Sequence, residues 1–153
     1  MIDTPSIITT EPLHYAALHV TCALSEMGKV MGPGIGEVVA ALQAQNVKPN
    51  GPWFTHHLVR PTTQFDFEIC FPVDAAIEPH GRITPGIWPA MTVARTIYRG
   101  NYTGLPHAWP ELDTWMKAEG HSQGTDFWER YLVNPNNNPD PTHWLTELNW
   151  PLA

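Results

Sequence analysis

Thr146-Glu147-Leu148-Asn149-Trp150-Pro151-Leu152 closes the chain, and it restates Phe67-Glu68-Ile69-Cys70-Phe71-Pro72-Val73 from its middle. Each stretch is a short strand pattern with a carboxylate in second place and a proline near its end. The repetition runs upstream as well. Glu37 to Pro61 can be laid on Glu111 to Pro135, so that Ala41-Leu42 falls on Trp115-Met116 and Leu58-Val59 on Leu132-Val133. Pro12 and Ala17 match Pro89 and Ala94. Two copies of a unit of about seventy residues in one chain predict a pseudo-symmetric fold with a cleft between the halves. Matching residues should then line opposite walls of that cleft.

The composition narrows the function classes. At 153 residues the chain is one ordinary domain, with repeat one at about 8–75, a link at about 76–84 and repeat two at about 85–152. A formal charge of −7 with only eight Lys and Arg argues against nucleic acid as a direct partner, because phosphate binding needs clustered cations. Cys22 and Cys70 form no CxxC pair and no disulfide framework, which suits a reducing compartment. Met1 to Glu11 lacks the basic start and apolar run of a signal peptide. No segment approaches the roughly 20 apolar residues of a membrane helix. These features together point to a cytoplasmic, soluble protein without a membrane partner; they leave its oligomeric state open.

Turn signals and periodicity order the elements. In the first copy His14 to Thr21 is rich in strand formers, Gly28 to Gly36 reads as a flexible connection, and Glu37 to Val47 follows as a helix. The connection is a candidate gate for the cleft. Pro49-Asn50-Gly51-Pro52 is a turn, and Trp53 to Val59 and Phe65 to Phe71 are strands. In the second copy Met91 to Arg99 is a strand and Leu105 to Glu119 a helix, which Gly120 stops. Pro110 should kink that helix or mark its start. Phe127 to Val133 and His143 to Trp150 complete the copy. The fold class is therefore α+β: duplicated β-α-β-β repeats, antiparallel sheets with helices on one face, and a central groove between the repeats.

Strand alternation then sorts the side chains. Phe65, Phe67, Ile69 and Phe71 should face the helix, leaving Asp66, Glu68 and Cys70 on the other side. Leu148 and Trp150 match the core face, leaving Glu147 and Asn149 opposite. If Phe54 and Leu58 pack on the first helix, Trp53, Thr55 and His57 join the cleft, with Phe127, Glu129 and Tyr131 as their equivalents. Trp128 and Leu132 then go to the core. Carboxylates among rings suit flat or cationic organic molecules through stacking and charge pairing. They also suit proton transfer, because partial desolvation raises a carboxylate toward neutrality.

Several pieces resemble one family. Pro89-Ala90 through Ala94, Gly100-Asn101-Tyr102, Tyr131-Leu132-Val133-Asn134-Pro135 and the closing Thr146–Leu152 segment are similar to the GyrI-like small-molecule-binding domain. That domain is also the effector-binding part of AraC- and MerR-type regulators. The resemblance covers most of residues 85 to 152, and residues 8 to 73 more loosely. It implies a duplicated, SHS2-like fold and a hydrophobic groove carrying a key carboxylate. It also implies amphipathic, often cationic ligands, as in multidrug binding, and for some stand-alone members hydrolysis of cyclopropane-bearing natural products. By this match Glu147 is the carboxylate of the closing motif and Tyr102 the tyrosine after the glycine. Asn101 stands where proline is usual and Asn149 where an aromatic is common.

The expected ligand-binding set is thus Glu147, Glu68, Glu129, Tyr131, Tyr102, Trp53, His57, Phe127, Asn149 and Cys70. Three functions fit it. The first is capture of a small aromatic or cationic compound by a sensor or sequestering protein. The second is a hydrolase in which Glu147 or Glu129 activates water and Tyr131 stabilises developing charge. The third is a protein-binding inhibitor module. The histidines lack metal-ligand spacing and the glycine-rich segment lacks the Lys and Ser/Thr of a phosphate loop, so neither metal nor cofactor is expected. The two copies use the whole chain and leave no room for a helix-turn-helix.

Overall fold

The computed structural model describes residues 2–153. The strands are β1 (Ser6–Thr9), β2 (Leu13–Ala23), β3 (Phe54–His57), β4 (Gln64–Val73), β5 (Ile83–Trp88), β6 (Thr92–Arg99), β7 (Phe127–Val133) and β8 (Leu145–Pro151). The helices are α1 (Met27–Ala44) and α2 (Leu105–Ala118). Residues 11–90 form one compact unit, and residues 2–10 with 91–153 form the other. Among the described residues no helix is long and apolar enough to cross a membrane.

In the unit of residues 11–90 the sheet order is β3-β4-β2-β5, all antiparallel. Phe67, Ile69 and Phe71 of β4 lie beside Val20, Leu18 and Ala16 of β2, and this face packs on Val38, Ala41 and Leu42 of α1. The alternation read from β4 is therefore the alternation observed. Residues 83–88, given no element in the sequence reading, pair with β2 as an edge strand.

The glycine-rich segment corrects one expectation. Gly28 to Gly36 is not a gating connection; it is the first half of α1, which runs unbroken through Pro33. Met27, Val30, Met31, Gly34, Ile35 and Val38 continue the apolar stripe at three- and four-residue spacing, so tertiary burial outweighs the roughly 1 kcal/mol that each glycine costs a helix. Gly34 has a packing reason, since a Cβ there would collide with Ile69 Cδ1.

In the other unit the order is β1-β6-β8-β7, again antiparallel. Leu105, Ala108, Leu112 and Met116 of α2 cover Ala94, Tyr98, Leu148 and Trp150. Pro110 lies inside α2 rather than at its start. Both helices stop in the same way. Gly120 (φ 79°) donates to Lys117 O and His121 N to Met116 O. Asn46 (φ 57°) donates to Gln43 O and Val47 N to Leu42 O. These paired bonds satisfy carbonyls that a helix end would leave bare, and they need a residue tolerant of left-handed backbone.

Candidate ligand-binding site

The register across β6, β8 and β7 decides which groups meet. Directly paired residues in antiparallel strands point to the same face. Glu129 pairs with Leu148, and Tyr131 with Thr146, so Glu129 and Tyr131 lie on the α2 side. Arg130 pairs with Glu147 and Trp128 with Asn149, so these four lie on the opposite side. The expectation that Glu147 and Glu129 share one wall is corrected: the sheet separates them. Phe127 is also on the helix side, packed on Trp109 (ring centroids 4.4 Å apart) and Trp150 (5.9 Å), and Trp128 is not. The same holds for β3. Trp53 packs on the α1 core and His57 stacks on Phe67 at 5.4 Å, while Phe54 and His56 face the other way. Alternation misled here because both faces of β3 and β7 carry apolar residues and are buried, so sequence leaves the phase undetermined.

Glu147 is held by charged and amide partners in this geometry. Arg130 Nη1 donates to its Oε1 at 3.3 Å, Arg95 Nε lies 3.5 Å away, and Asn149 Nδ2 donates at 3.0 Å. Arg95 Nε also donates to Asn149 Oδ1 at 2.6 Å. Asn149, the departure from the family pattern, is fully buried and completes this network. Glu68 occupies the same register position in its own unit. It accepts from Tyr15 Oη at 3.1 Å, and His56 Nδ1 lies 3.0 Å away. On β4 as on β8 the carboxylate thus meets the basic residue directly across from it. Cys70 is wholly buried beside Ala17 and Phe54, and that burial, with Glu68 adding to it, holds the thiol pKa well above its usual value.

Glu129 has a different setting. It is 7% exposed; Trp109 Nε1 donates to its Oε2 at 2.8 Å and Tyr131 Oη to its Oε1 at 2.9 Å. Both donors are neutral and both belong to aromatic rings. Tyr131 meets Tyr102 edge-on at 5.6 Å, and Tyr102 lies against Trp144 at 4.7 Å. Burial, reinforced by the nearby Glu129 charge, raises the Tyr102 phenol to about 12.

Local sequence fixes each ring. Gly100 takes a left-sided φ of 123°, and its N–H bonds Trp144 O at 2.9 Å. The Asn101 side chain accepts from Thr103 N at 3.1 Å and so caps the short 3-10 turn Tyr102–Gly104. Asn101 therefore does locally what a turn proline would do by ring constraint. Trp144 follows a second capped turn: Asp140 accepts from Thr142 N at 3.0 Å, and Trp144 Nε1 donates to Asn138 O at 2.8 Å. Asn134, 3% exposed, ties this loop to Tyr131 O through its Nδ2. Trp109 and Trp144, which contact Glu129 and Tyr102, lie outside the expected set. Trp109 is one apolar position among several on α2, and Trp144 ends the loop between β7 and β8. Two surface cavities, about 280 and about 580 Å³, lie around Asn46–Lys48 in the other unit and touch none of the expected site residues.

Glu129 is thus a buried carboxylate held by aromatic donors on the helix-covered face of an antiparallel sheet. Residues 3–153 match the GyrI-like small molecule binding domain, and the chain belongs to that family. Among solved structures, the crystal structure of the EcmrR C-terminal domain is similar at 20% identity and a TM-score of 0.86, over 98% of this chain and 97% of that one. The EcmrR chain in a cryo-EM DNA complex gives the same score and identity over 97% of this chain, which spans only 57% of that longer one. SAV2435 bound to tetraphenylphosphonium is similar at 12% identity and a TM-score of 0.73, over 99% of this chain and 94% of that one. At these identities the likeness shows the fold. No curated protein matches the chain by sequence.

Proposed function

We propose that this protein binds a small amphipathic, aromatic organic cation, and that Glu129 is the anionic anchor of the site. The observation that carries the reading is the Glu129 carboxylate, nearly excluded from water and hydrogen-bonded by Trp109 and Tyr131. A carboxylate in low dielectric attracts a delocalised cation strongly, because such a cation sheds its water cheaply and also gains from ring faces. Tyr102, Tyr131 and Trp144 supply those faces. A similar fold holding tetraphenylphosphonium supports the ligand class. Glu147 has no part in this reading, because two guanidinium groups already neutralise it.

Isothermal titration with tetraphenylphosphonium tests the assignment. Glu129→Gln keeps the shape and one acceptor oxygen, turns the other position into an N–H donor and removes the charge, and it should weaken binding by at least about 1.5 kcal/mol. Equal affinity of the wild type and Glu129→Gln would reject Glu129 as the anchor.

A further inference from the structure

Two hydroxyl groups on the helix-covered face of the Glu129 unit make no hydrogen bond within the protein. Thr146 Oγ1 and Tyr102 Oη are both inaccessible to solvent and lack a partner among the described residues. Thr146, on β8, is fully buried and stands directly between Tyr98 of β6 and Tyr131 of β7. Neither tyrosine bonds it: the Tyr98 hydroxyl donates to Asn101 O at 2.7 Å and the Tyr131 hydroxyl to Glu129 at 2.9 Å. Tyr102 packs its ring on Tyr131, so the two residues that bear the orphan hydroxyls both neighbour the ring that holds the anchor.

Orphan hydroxyls are costly, at about 1–3 kcal/mol each. Valine at 146 and phenylalanine at 102 would keep the shape without that cost. Two buried hydroxyls left unpaired side by side with a buried carboxylate mark a place where an outside group can complete them. From this we infer that Thr146 and Tyr102 are specificity-determining residues. They select ligands bearing a hydroxyl or carbonyl group beside the aromatic cation that Glu129 anchors. The inference rests on the proposed function and adds to it a polar substituent on the ligand. The discrimination is large in principle, because a site built to hydrogen-bond a substituent penalises the analogue that lacks it.

The test compares tetraphenylphosphonium with the ortho, meta and para isomers of (hydroxyphenyl)triphenylphosphonium by titration calorimetry. At least one isomer should bind wild-type protein about fivefold or more tighter than the parent cation. Thr146→Val should reduce that advantage below about twofold while leaving parent affinity nearly unchanged, and Tyr102→Phe should reduce it independently. Thermal melting checks that both variants fold. No isomer gaining over the parent, or Thr146→Val weakening all four compounds alike, overturns the inference, leaving the two hydroxyls as water-binding groups only. Failure of the parent cation itself to bind wild type would instead sink the Glu129 reading, and this inference with it.

Discussion

Replacing Glu147 by glutamine separates a structural carboxylate from a ligand-binding one. Arg130 Nη1 and Arg95 Nε stand 3.3 and 3.5 Å from the same oxygen. At an effective dielectric of about 20, each attraction is about 5 kcal/mol before desolvation is subtracted. Removing one partner of a fully buried ion pair costs about 3–5 kcal/mol. Here the carboxylate is 9% exposed but the guanidiniums are 23% and 30% exposed, so water recovers part of that loss. Glutamine also keeps an oxygen for the Asn149 amide. The net cost should be about 2–3 kcal/mol, which in a domain of this size lowers Tm by about 5–10 °C. Differential scanning calorimetry measures the shift, and titration with tetraphenylphosphonium measures binding on the same sample. The expected pattern is a large loss of Tm with affinity within about twofold of wild type, the reverse of Glu129→Gln. A Glu147→Gln variant that melts like wild type and loses binding tenfold would refute the division of roles between the two carboxylates.

Three further outcomes follow from particular contacts. Gly36→Ala, where an added Cβ meets nothing within 4 Å, should stabilise α1 by about 0.5–1 kcal/mol, whereas Gly34→Ala should destabilise by about 1 kcal/mol through its clash with Ile69; denaturant melts giving both the same sign would contradict the helix. Cys70, wholly buried with a raised thiol pKa, should resist a thiol reagent in the native protein and react only on unfolding; modification at the native rate of a free thiol would show that β4 opens. Tyr102, held neutral up to about 12, binds its proton in the folded state after the unfolded chain has released it near 10, so stability should fall as pH rises from about 10 to 12. Phenolate absorbance should show a late-titrating component that Tyr102→Phe diminishes, and an unchanged titration curve in that variant would discount the assignment.

Much of this was legible in the chain. Phe67, Ile69 and Phe71 alternate with polar neighbours, and a strand with one apolar face admits a single orientation toward its helix. Gly120 announced the end of α2, because left-handed backbone is inexpensive only for such residues. The family resemblance and the α+β class also came from residue order alone. Gly28 to Gly36 was misread because glycine and proline speak against a helix locally, while the stripe that overrides them acts only once β2 and β4 are in place.

Amino-acid order thus determined most of the elements, though not β5 or the first half of α1, together with their antiparallel pairing type. It could not determine which of two adjacent carboxylate-bearing strands turned its charge toward the rings, for β7 is apolar on both sides and its phase is silent. Cross-strand register decided that, by setting Glu129 against Leu148 and Glu147 against Arg130. The physical reason is that pairing and packing are long-range: a carboxylate is defined by the neighbours brought to it, two guanidiniums for one and two aromatic donors for the other.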